Sequence, residues 1–185
     1  MISESNMKYI SILRGINVSG RKKIKMAELK ELYESLGFIN VITYIQSGNV
    51  IFESDEENSE KIKSKIEEAI IRTYDFHVPI IIRTIKDFSE LIRCNPFSPV
   101  DLEKDGSRIL VTFLTDSISG DHRELLMKFK SASESFEIME KHICLHCPDG
   151  YGKTKLSNAF LEKKLNVTAT TRNWKTVLKL YELSN

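Results

Sequence analysis

The order in which the spacing of apolar residues changes along the first 83 positions constrains the fold more than any other feature of this chain. Residues 8–13 alternate in a way that predicts a first strand with at least one buried face. Apolar residues then recur at helical spacing over residues 26–36, and Gly37 follows where helices often end in a left-handed residue. The chain is therefore predicted to open with a strand and a helix.

A pair of strands follows, and the turn between them is a clear local signal. The runs 41–46 and 50–52 are rich in β-branched and aromatic residues, and they flank Ser47-Gly48-Asn49. Glycine and asparagine readily adopt the backbone conformations that a tight hairpin needs. This segment is therefore predicted to be a β-hairpin.

The first half closes with a second helix and a fourth strand. Ser59 is a candidate N-cap for a helix whose apolar stripe covers residues 62–70, and residues 78–83 form a further strand-like run. The order strand, helix, strand, strand, helix, strand is that of the ferredoxin-like fold. We expect a first domain of this type over residues 1–95.

The second half repeats the same classes of element. Asp87 is a candidate cap for a short helix, and residues 96–105 carry the prolines, polar residues and turn residues of a linker. Further elements are predicted as a strand at 108–114, a helix at 121–130, strand residues at 136–147, and helices around 160–165 and 174–181. We therefore expect an α+β protein of two packed ferredoxin-like units, the second over residues 106–185.

Composition excludes several classes of protein. Hydrophobic residues make up 41% and charged residues 29% of the chain, which excludes a disordered or collagen-like protein. No run of about 18 apolar residues exists, and the polar first six residues do not resemble a secretory signal. The three cysteines are predicted to be reduced, so we expect a cytoplasmic protein without a membrane partner.

Three separated motifs carry a resemblance to a known family. They are Leu13-Arg14-Gly15-Ile16-Asn17-Val18, Thr43-Tyr44-Ile45-Gln46-Ser47-Gly48-Asn49-Val50 and Thr171-Arg172-Asn173-Trp174-Lys175-Thr176. In this order they resemble the signature segments of DUF1697, a bacterial family of unknown function. The resemblance implies two ferredoxin-like units and no particular activity. Ser19 stands where the family more often has a second glycine, and the residues before Met7 resemble an extension.

The loop over residues 14–25 is the first candidate for a binding site. Glycines let a backbone approach a ligand, and basic side chains just ahead of a helix N-terminus favour phosphate or carboxylate groups. The candidate ligand-binding residues here are Arg14, Gly15, Asn17, Arg21 and Lys22, with Lys23 and Lys25 adding positive charge. A solvated loop, with Arg14 as a salt-bridge partner within the fold, is the alternative interpretation.

The hairpin turn is the second candidate. Gln46, Ser47 and Asn49 offer amide and hydroxyl groups that could orient a small ligand. The same residue types are what a tight turn requires without any ligand. This turn contributes to a binding site only if it lies beside the loop over residues 14–25.

The third candidate lies at the predicted start of the last helix. With Thr171 as the cap, Arg172, Asn173 and Lys175 fall in the first turn, where the helix dipole disfavours cations. A bound anion would remove this penalty. The alternative is that the cations are screened by solvent, or that Arg172 pairs with a carboxylate of the fold.

Two further motifs are weaker. Residues 149–154 place Gly-Lys-Thr between a predicted strand and helix, but a P-loop needs a glycine where Cys147 stands. His142, Cys144 and His146 alternate along a predicted strand, and imidazole and thiolate are zinc ligands. The missing glycine argues against a P-loop. The chain also has no second pair of zinc ligands, so we do not expect a metal site.

Recognition of RNA by base stacking is also not expected. Residues 48–52 faintly resemble the consensus of RNA-recognition domains, but Ser47 and Asn49 occupy the usual stacking positions. Without aromatic platforms, single-strand binding loses about 1–3 kcal/mol per base. Phosphate contacts to a nucleic acid from the basic loop stay open as an alternative.

These observations favour a module that binds an anionic or phosphate-bearing small molecule between the three candidate segments. A small-molecule enzyme that uses the same cleft is the first alternative, with Arg14 and Arg172 positioning its substrate. An interaction or scaffold protein that uses open sheet faces and edges is the second. No motif identifies a cofactor, a catalytic group or an oligomeric state.

Overall fold

The computed structural model describes residues 6–185, and these residues divide into two units. One unit contains the residues up to Glu90 together with Leu180–Asn185, and the other contains Leu91–Lys179. The predicted linker, residues 96–105, falls within the second unit. The interpretation of the first residues as an extension lies largely outside the described part of the chain. Over residues 6–185, every helix is too short or too polar to cross a bilayer.

The first part of the chain forms a four-stranded antiparallel sheet with its helices. Its elements in chain order are β1 (Met7–Leu13), α1 (Met26–Ser35), β2 (Ile39–Tyr44), β3 (Asn49–Ser54), α2 (Ser59–Tyr74), β4 (Ile80–Thr84) and α3 (Ile85–Arg93). The strands lie side by side in the order β2-β3-β1-β4, and every neighbouring pair is antiparallel. This arrangement confirms the ferredoxin-like fold predicted from the order of the elements.

Aromatic packing joins the sheet of the first unit to α1. The rings of Tyr9 and Phe52 stack with their centroids 5.8 Å apart, and Tyr33 of α1 meets Phe52 edge-on at 5.4 Å. The hydroxyl of Tyr33 lies 2.8 Å from the hydroxyl of Ser11 in the centre of β1. Burial raises the pKa of Tyr33, so its hydroxyl stays protonated within this core.

The two helix ends predicted in the first half differ in outcome. Gly37 directly follows the last turn of α1 with a left-handed φ of 87°, as predicted. The prediction of Ser59 as a cap was wrong, because Asn58 is the N-cap of α2. Its side-chain oxygen accepts hydrogen bonds from the N–H groups of Glu60 and Lys61 at 3.0 and 3.2 Å.

The second part of the chain forms a sheet of the same topology. Its elements are β5 (Ile109–Leu114), α4 (Asp121–Met127), β6 (Ser135–Ile138), β7 (His142–His146), α5 (Asn158–Leu165), β8 (Ala169–Asn173) and α6 (Trp174–Ser184). The strand order is β6-β7-β5-β8, again with antiparallel neighbours. The second ferredoxin-like unit is therefore confirmed.

The two sheets agree in register as well as in topology. Arg83 of β4 lies opposite Ile10 of β1, and Arg172 of β8 lies opposite Val111 of β5. Each arginine stands two residues before the next helix, and each donates a hydrogen bond to the carbonyl of its preceding residue, at 2.8 and 2.9 Å. The repeat seen in the sequence as element order is thus also a repeat of strand pairing.

The prediction for the start of the last helix was wrong. Thr171 does not cap α6, because it lies within β8 opposite Thr112, where a β-branched residue suits the sheet. Arg172 is therefore a strand residue and not part of the first helical turn. The helix begins at Trp174, and the side chain of Asn173 accepts a hydrogen bond from the N–H of Thr176 at 2.9 Å.

Candidate functional site

The first unit carries an open hollow of about 550 Å³ beside the β2–β3 turn, the loop after β1 and the start of α1. Its lining residues are Asn17, Gly20, Lys23, Ile24, Lys25, Met26, Glu28 and Gln46. Asn17 and Gln46 belong to the predicted ligand-binding residues, and Lys23 and Lys25 belong to the same predicted loop. The structure therefore brings the first two candidate segments together at one hollow.

The loop over residues 14–25 has a defined shape. Five of its residues adopt a left-handed backbone: Gly15, Asn17, Ser19, Gly20 and Lys22. The N–H of Asn17 donates to the carbonyl of Lys22 at 3.2 Å, and the N–H of Arg21 donates to that of Val18 at 3.0 Å. These bonds close a short hairpin, so the segment is a folded projection of the chain.

Asn17 joins this loop to the β2–β3 turn. Its side-chain nitrogen donates to the carbonyls of Ile24 and Gln46, both at 2.9 Å. Its side-chain oxygen accepts from the N–H of Ile24, also at 2.9 Å. Because both N–H groups of the amide are engaged within the unit, Asn17 serves the shape of the hollow.

The turn that faces the loop is fixed by its own side chains. The amide nitrogen of Asn49 donates to the carbonyl of Tyr44 at 3.0 Å and to the hydroxyl of Ser47 at 3.2 Å. Gly48 has a φ of 80°, and a Cβ at this position would lie 2.6 Å from Cδ1 of Ile16. Ser47 and Asn49 therefore build the turn, and Gly48 lets it press against the loop.

The five cations of the loop have different surroundings. Lys22 donates to the carbonyl of His77 at 2.7 Å, and Lys25 pairs with Glu28 at 2.9 Å, which raises the pKa of Lys25. Arg14 is half-buried at the base of the loop, where its backbone N–H donates to the carbonyl of Pro79.

Two of the five cations are unpaired. Among the described residues, the side chains of Arg21 and Lys23 are exposed and have no hydrogen-bonded or ionic partner. Of these two, Lys23 lines the hollow.

The start of α1 adds backbone donors to the same hollow. Lys25 is the N-cap residue, and its side chain makes no capping hydrogen bond. Within residues 6–185, the N–H groups of Met26, Ala27 and Glu28 have no acceptor, whereas that of Leu29 donates to the carbonyl of Lys25. Glu28 was not predicted, although its spacing from Lys25 on a helix is a recognisable signal for an ion pair.

The equivalent loop of the second unit provides an internal comparison. Leu13 and Leu114 donate their N–H groups to the facing turns at 2.9 and 3.0 Å, so β1 and β5 end in the same way. The loop after β1 has twelve residues, 14–25, and the loop after β5 has six, 115–120. The longer loop carries five cations and no acid, whereas the shorter one carries a single Asp and no cation. The fold itself therefore does not require a long basic loop at this position.

The residues of the third candidate segment belong to the second unit. The side chain of Arg172 is buried and donates to the hydroxyl of Thr170 and the carbonyl of Thr171, both at 2.9 Å. Asn173 caps α6. Lys175 is exposed, and its backbone N–H donates to the carbonyl of Gly106 at 3.2 Å. Arg172 and Asn173 thus have structural partners of their own.

Cys144 of β7 and the neighbouring Cys147 belong to the core of the second unit. Cys144 and Cys147 are buried, and burial raises the pKa of the Cys144 thiol to about 12 and that of Cys147 to about 11. Cys94, Cys144 and Cys147 are all free thiols. Within residues 6–185, no three His, Cys, Asp or Glu side chains are grouped as metal ligands.

The segment that contains Gly-Lys-Thr is held within the second unit by Tyr151, the residue directly before this motif. Residues Tyr151–Lys153 form one turn of 3₁₀ helix. The hydroxyl of Tyr151 lies 3.1 Å from that of Thr171 and accepts the N–H of Asn158 at 3.1 Å. This contact fixes the segment at the start of α5 and gives it a structural role.

Comparison with family models matches residues 7–143 to the family described as "Protein of unknown function (DUF1697)". The chain belongs to this family. Two of the three motifs that carried the resemblance lie within the matched residues, and the third, 171–176, lies beyond them. Comparison with curated proteins found no match.

Comparison with solved structures supports the fold of this DUF1697 chain. A conserved bacterial protein, SP0830 from Streptococcus pneumoniae, is similar with a TM-score of 0.76 and 24% sequence identity. The similarity covers 98% of the present chain and 100% of the other. At this identity it establishes the shared fold.

Proposed function

We propose that this DUF1697 protein is a binding module for a small anionic or phosphate-bearing ligand, held in the hollow of the first unit. The observation that carries the proposal is the difference between the two equivalent loops. The two units repeat the same strand register, yet the loop after β1 is six residues longer than the loop after β5 and carries five cations where the other has none. Because the shorter loop suffices for the fold, the longer one is best explained by a ligand.

The donors in the hollow suit an anion. Lys23 supplies an exposed ammonium group, and the first three N–H groups of α1 carry the positive end of the helix dipole. The side-chain amide of Gln46 adds a neutral donor at the opposite wall. Ile24 and Met26 contribute apolar surface, which favours a ligand with an organic body over a bare ion.

Glu28 is the one carboxylate in the lining, and it opposes an anion. It is paired with Lys25 at 2.9 Å, so this pair has no net charge. The positive charge that remains at the lining is that of Lys23. We therefore assign Lys23, and not Lys25, as the main cationic contact.

The proposed site is limited to the first unit. Arg172 and Asn173 are engaged in the second unit, by Thr170 and Thr171 and by the cap of α6. Arg14, Lys22, Ser47 and Asn49 do not line the hollow, and in this proposal they hold the loop and the turn in place. We also place the protein in the cytoplasm, a proposal that its three free cysteines support.

The test is isothermal titration calorimetry with inorganic pyrophosphate, ATP and citrate as probes. We expect at least one probe to bind, with an affinity that falls as salt rises. Lys23→Gln should weaken binding about tenfold or more, since a hydrogen bond to a charged group is lost. Lys86→Gln, which removes the same charge from an exposed position on α3, is the matched control and should bind like the unaltered protein.

Two results would overturn the proposal. One is the absence of heat and of any change in melting temperature with all three probes. The other is an equal loss of affinity in the Lys23→Gln and Lys86→Gln proteins, which would mean a non-specific response to net charge. Turnover of ATP that Lys23→Gln abolishes would instead assign an enzyme to the same hollow.

A further inference from the structure

We propose, on the basis of the function proposed above, that Asn17 is a positioning residue that forms the hollow without touching the ligand. Its side-chain amide pairs with the backbone of Ile24 as a neighbouring strand would, accepting its N–H and donating to its carbonyl, both at 2.9 Å. The remaining N–H of the amide crosses to the carbonyl of Gln46. One side chain thus connects both walls of the hollow.

The partners of Asn17 explain why this connection is needed. Ile24 is only 2% exposed, so its backbone groups have little access to water. A buried N–H or carbonyl without a partner is strongly unfavourable, and the side chain of Asn17 satisfies both. Ile24 also precedes the N-cap of α1, so its position sets where the loop enters the helix.

The chemistry of the position selects asparagine. The backbone of Asn17 has a φ of 54°, a left-handed conformation that asparagine tolerates better than most residues. An aspartate would place an oxygen against the two carbonyls that now accept hydrogen bonds. A glycine would keep the backbone conformation and remove all three bonds. Asn17→Gly therefore isolates the contribution of the side chain.

The chain offers a matched control for this substitution. Asn40 has a φ of 53° and, among the described residues, its side chain makes no hydrogen bond. Asn40→Gly is thus the same chemical change in the same backbone conformation without the connection between two segments.

The experiment is site-resolved trypsin digestion followed by mass spectrometry, because the loop itself contains the cleavage sites Arg21, Lys22, Lys23 and Lys25. We expect Asn17→Gly to speed cleavage over residues 21–25 at least tenfold and to leave cleavage after Lys65, which lies within α2 of the same unit, unchanged. Asn40→Gly should leave both rates unchanged. A general loss of stability would speed both sites together, so this pattern separates positioning from unfolding.

Binding of pyrophosphate then links the connection to the ligand. If the unaltered protein binds pyrophosphate, Asn17→Gly should lower the affinity for pyrophosphate at least as much as Lys23→Gln does. Unchanged cleavage over residues 21–25, or unchanged affinity despite faster cleavage, would overturn the positioning role. If the unaltered protein binds none of the probes, the proposed function fails, and the digestion pattern still decides whether Asn17 holds the two walls together.

A measurement on the unaltered protein guards against a variant that does not fold. Hydrogen exchange should find the N–H of Ile24 protected, because Asn17 accepts its hydrogen bond, and that of Lys23 rapidly exchanging. Rapid exchange at Ile24 would contradict the proposal without any substitution.

Discussion

Substitution of Gly48 by alanine tests the contact between the loop and the turn most directly. An alanine there must keep a φ of about 80°, which costs about 1–2 kcal/mol for a residue with a side chain. Its Cβ would also lie 2.6 Å from Cδ1 of Ile16 and 2.9 Å from Cβ of Leu13. Ile16 can turn its terminal methyl away, but Cβ of Leu13 moves only with its strand.

The overpacking adds about 1–3 kcal/mol to the backbone cost, so Gly48→Ala should destabilise the first unit by about 2–5 kcal/mol. Gly37→Ala is the matched control. Gly37 lies in the same unit with a φ of 87°, and a Cβ there would meet no atom within 4 Å. Only the backbone cost applies to it, so the difference between the two variants isolates the close approach of turn and loop.

The assay is urea unfolding followed by far-ultraviolet circular dichroism. With a slope of about 2 kcal/mol per M, the unfolding midpoint of Gly48→Ala should lie roughly 1 M below that of Gly37→Ala. Ile16→Val removes Cδ1 and should offset part of the loss when combined with Gly48→Ala. Equal midpoints for the two alanine variants would refute the packing argument, and purely additive effects of Ile16→Val would refute the role of that side chain.

Two further predictions concern a helix cap and an ion pair. Asn58→Ala should destabilise the first unit by about 1 kcal/mol in urea unfolding, while Ser59→Ala should have little effect, and the reverse order would contradict the observed cap. Glu137 accepts two hydrogen bonds from Arg123 at 2.7 and 3.0 Å, which lower the pKa of Glu137. The carboxylate therefore stabilises the fold above its unfolded pKa, and this contribution is lost as the pH falls through the folded pKa. Glu137→Gln should cause a small loss of stability at pH 7 that disappears in acid, and a loss that persists there would show that the pair is not its cause.

The sequence by itself determined the class and topology of the fold. Alternation predicted β1, runs of β-branched and aromatic residues predicted β2 and β3, helical spacing predicted α1 and α2, and Ser47-Gly48-Asn49 predicted the turn between β2 and β3. These signals are local, since each depends on residues that are neighbours in the chain or one helical turn apart. Local signals also misplaced two helix starts, because Asn58 and Asn173 are as good caps as the residues predicted.

The tertiary structure alone decided which polar residues serve the fold and which face the hollow. Asn17 and Asn49 looked in the sequence like candidate ligand contacts, yet their amides donate to the carbonyls of Gln46 and Tyr44, which the fold brings within reach. Lys23 was one cation among five until the fold gave Lys22 and Lys25 partners of their own. A residue type fixes what a side chain can bind, but the distances that decide whether it does so arise from contacts between distant parts of the chain.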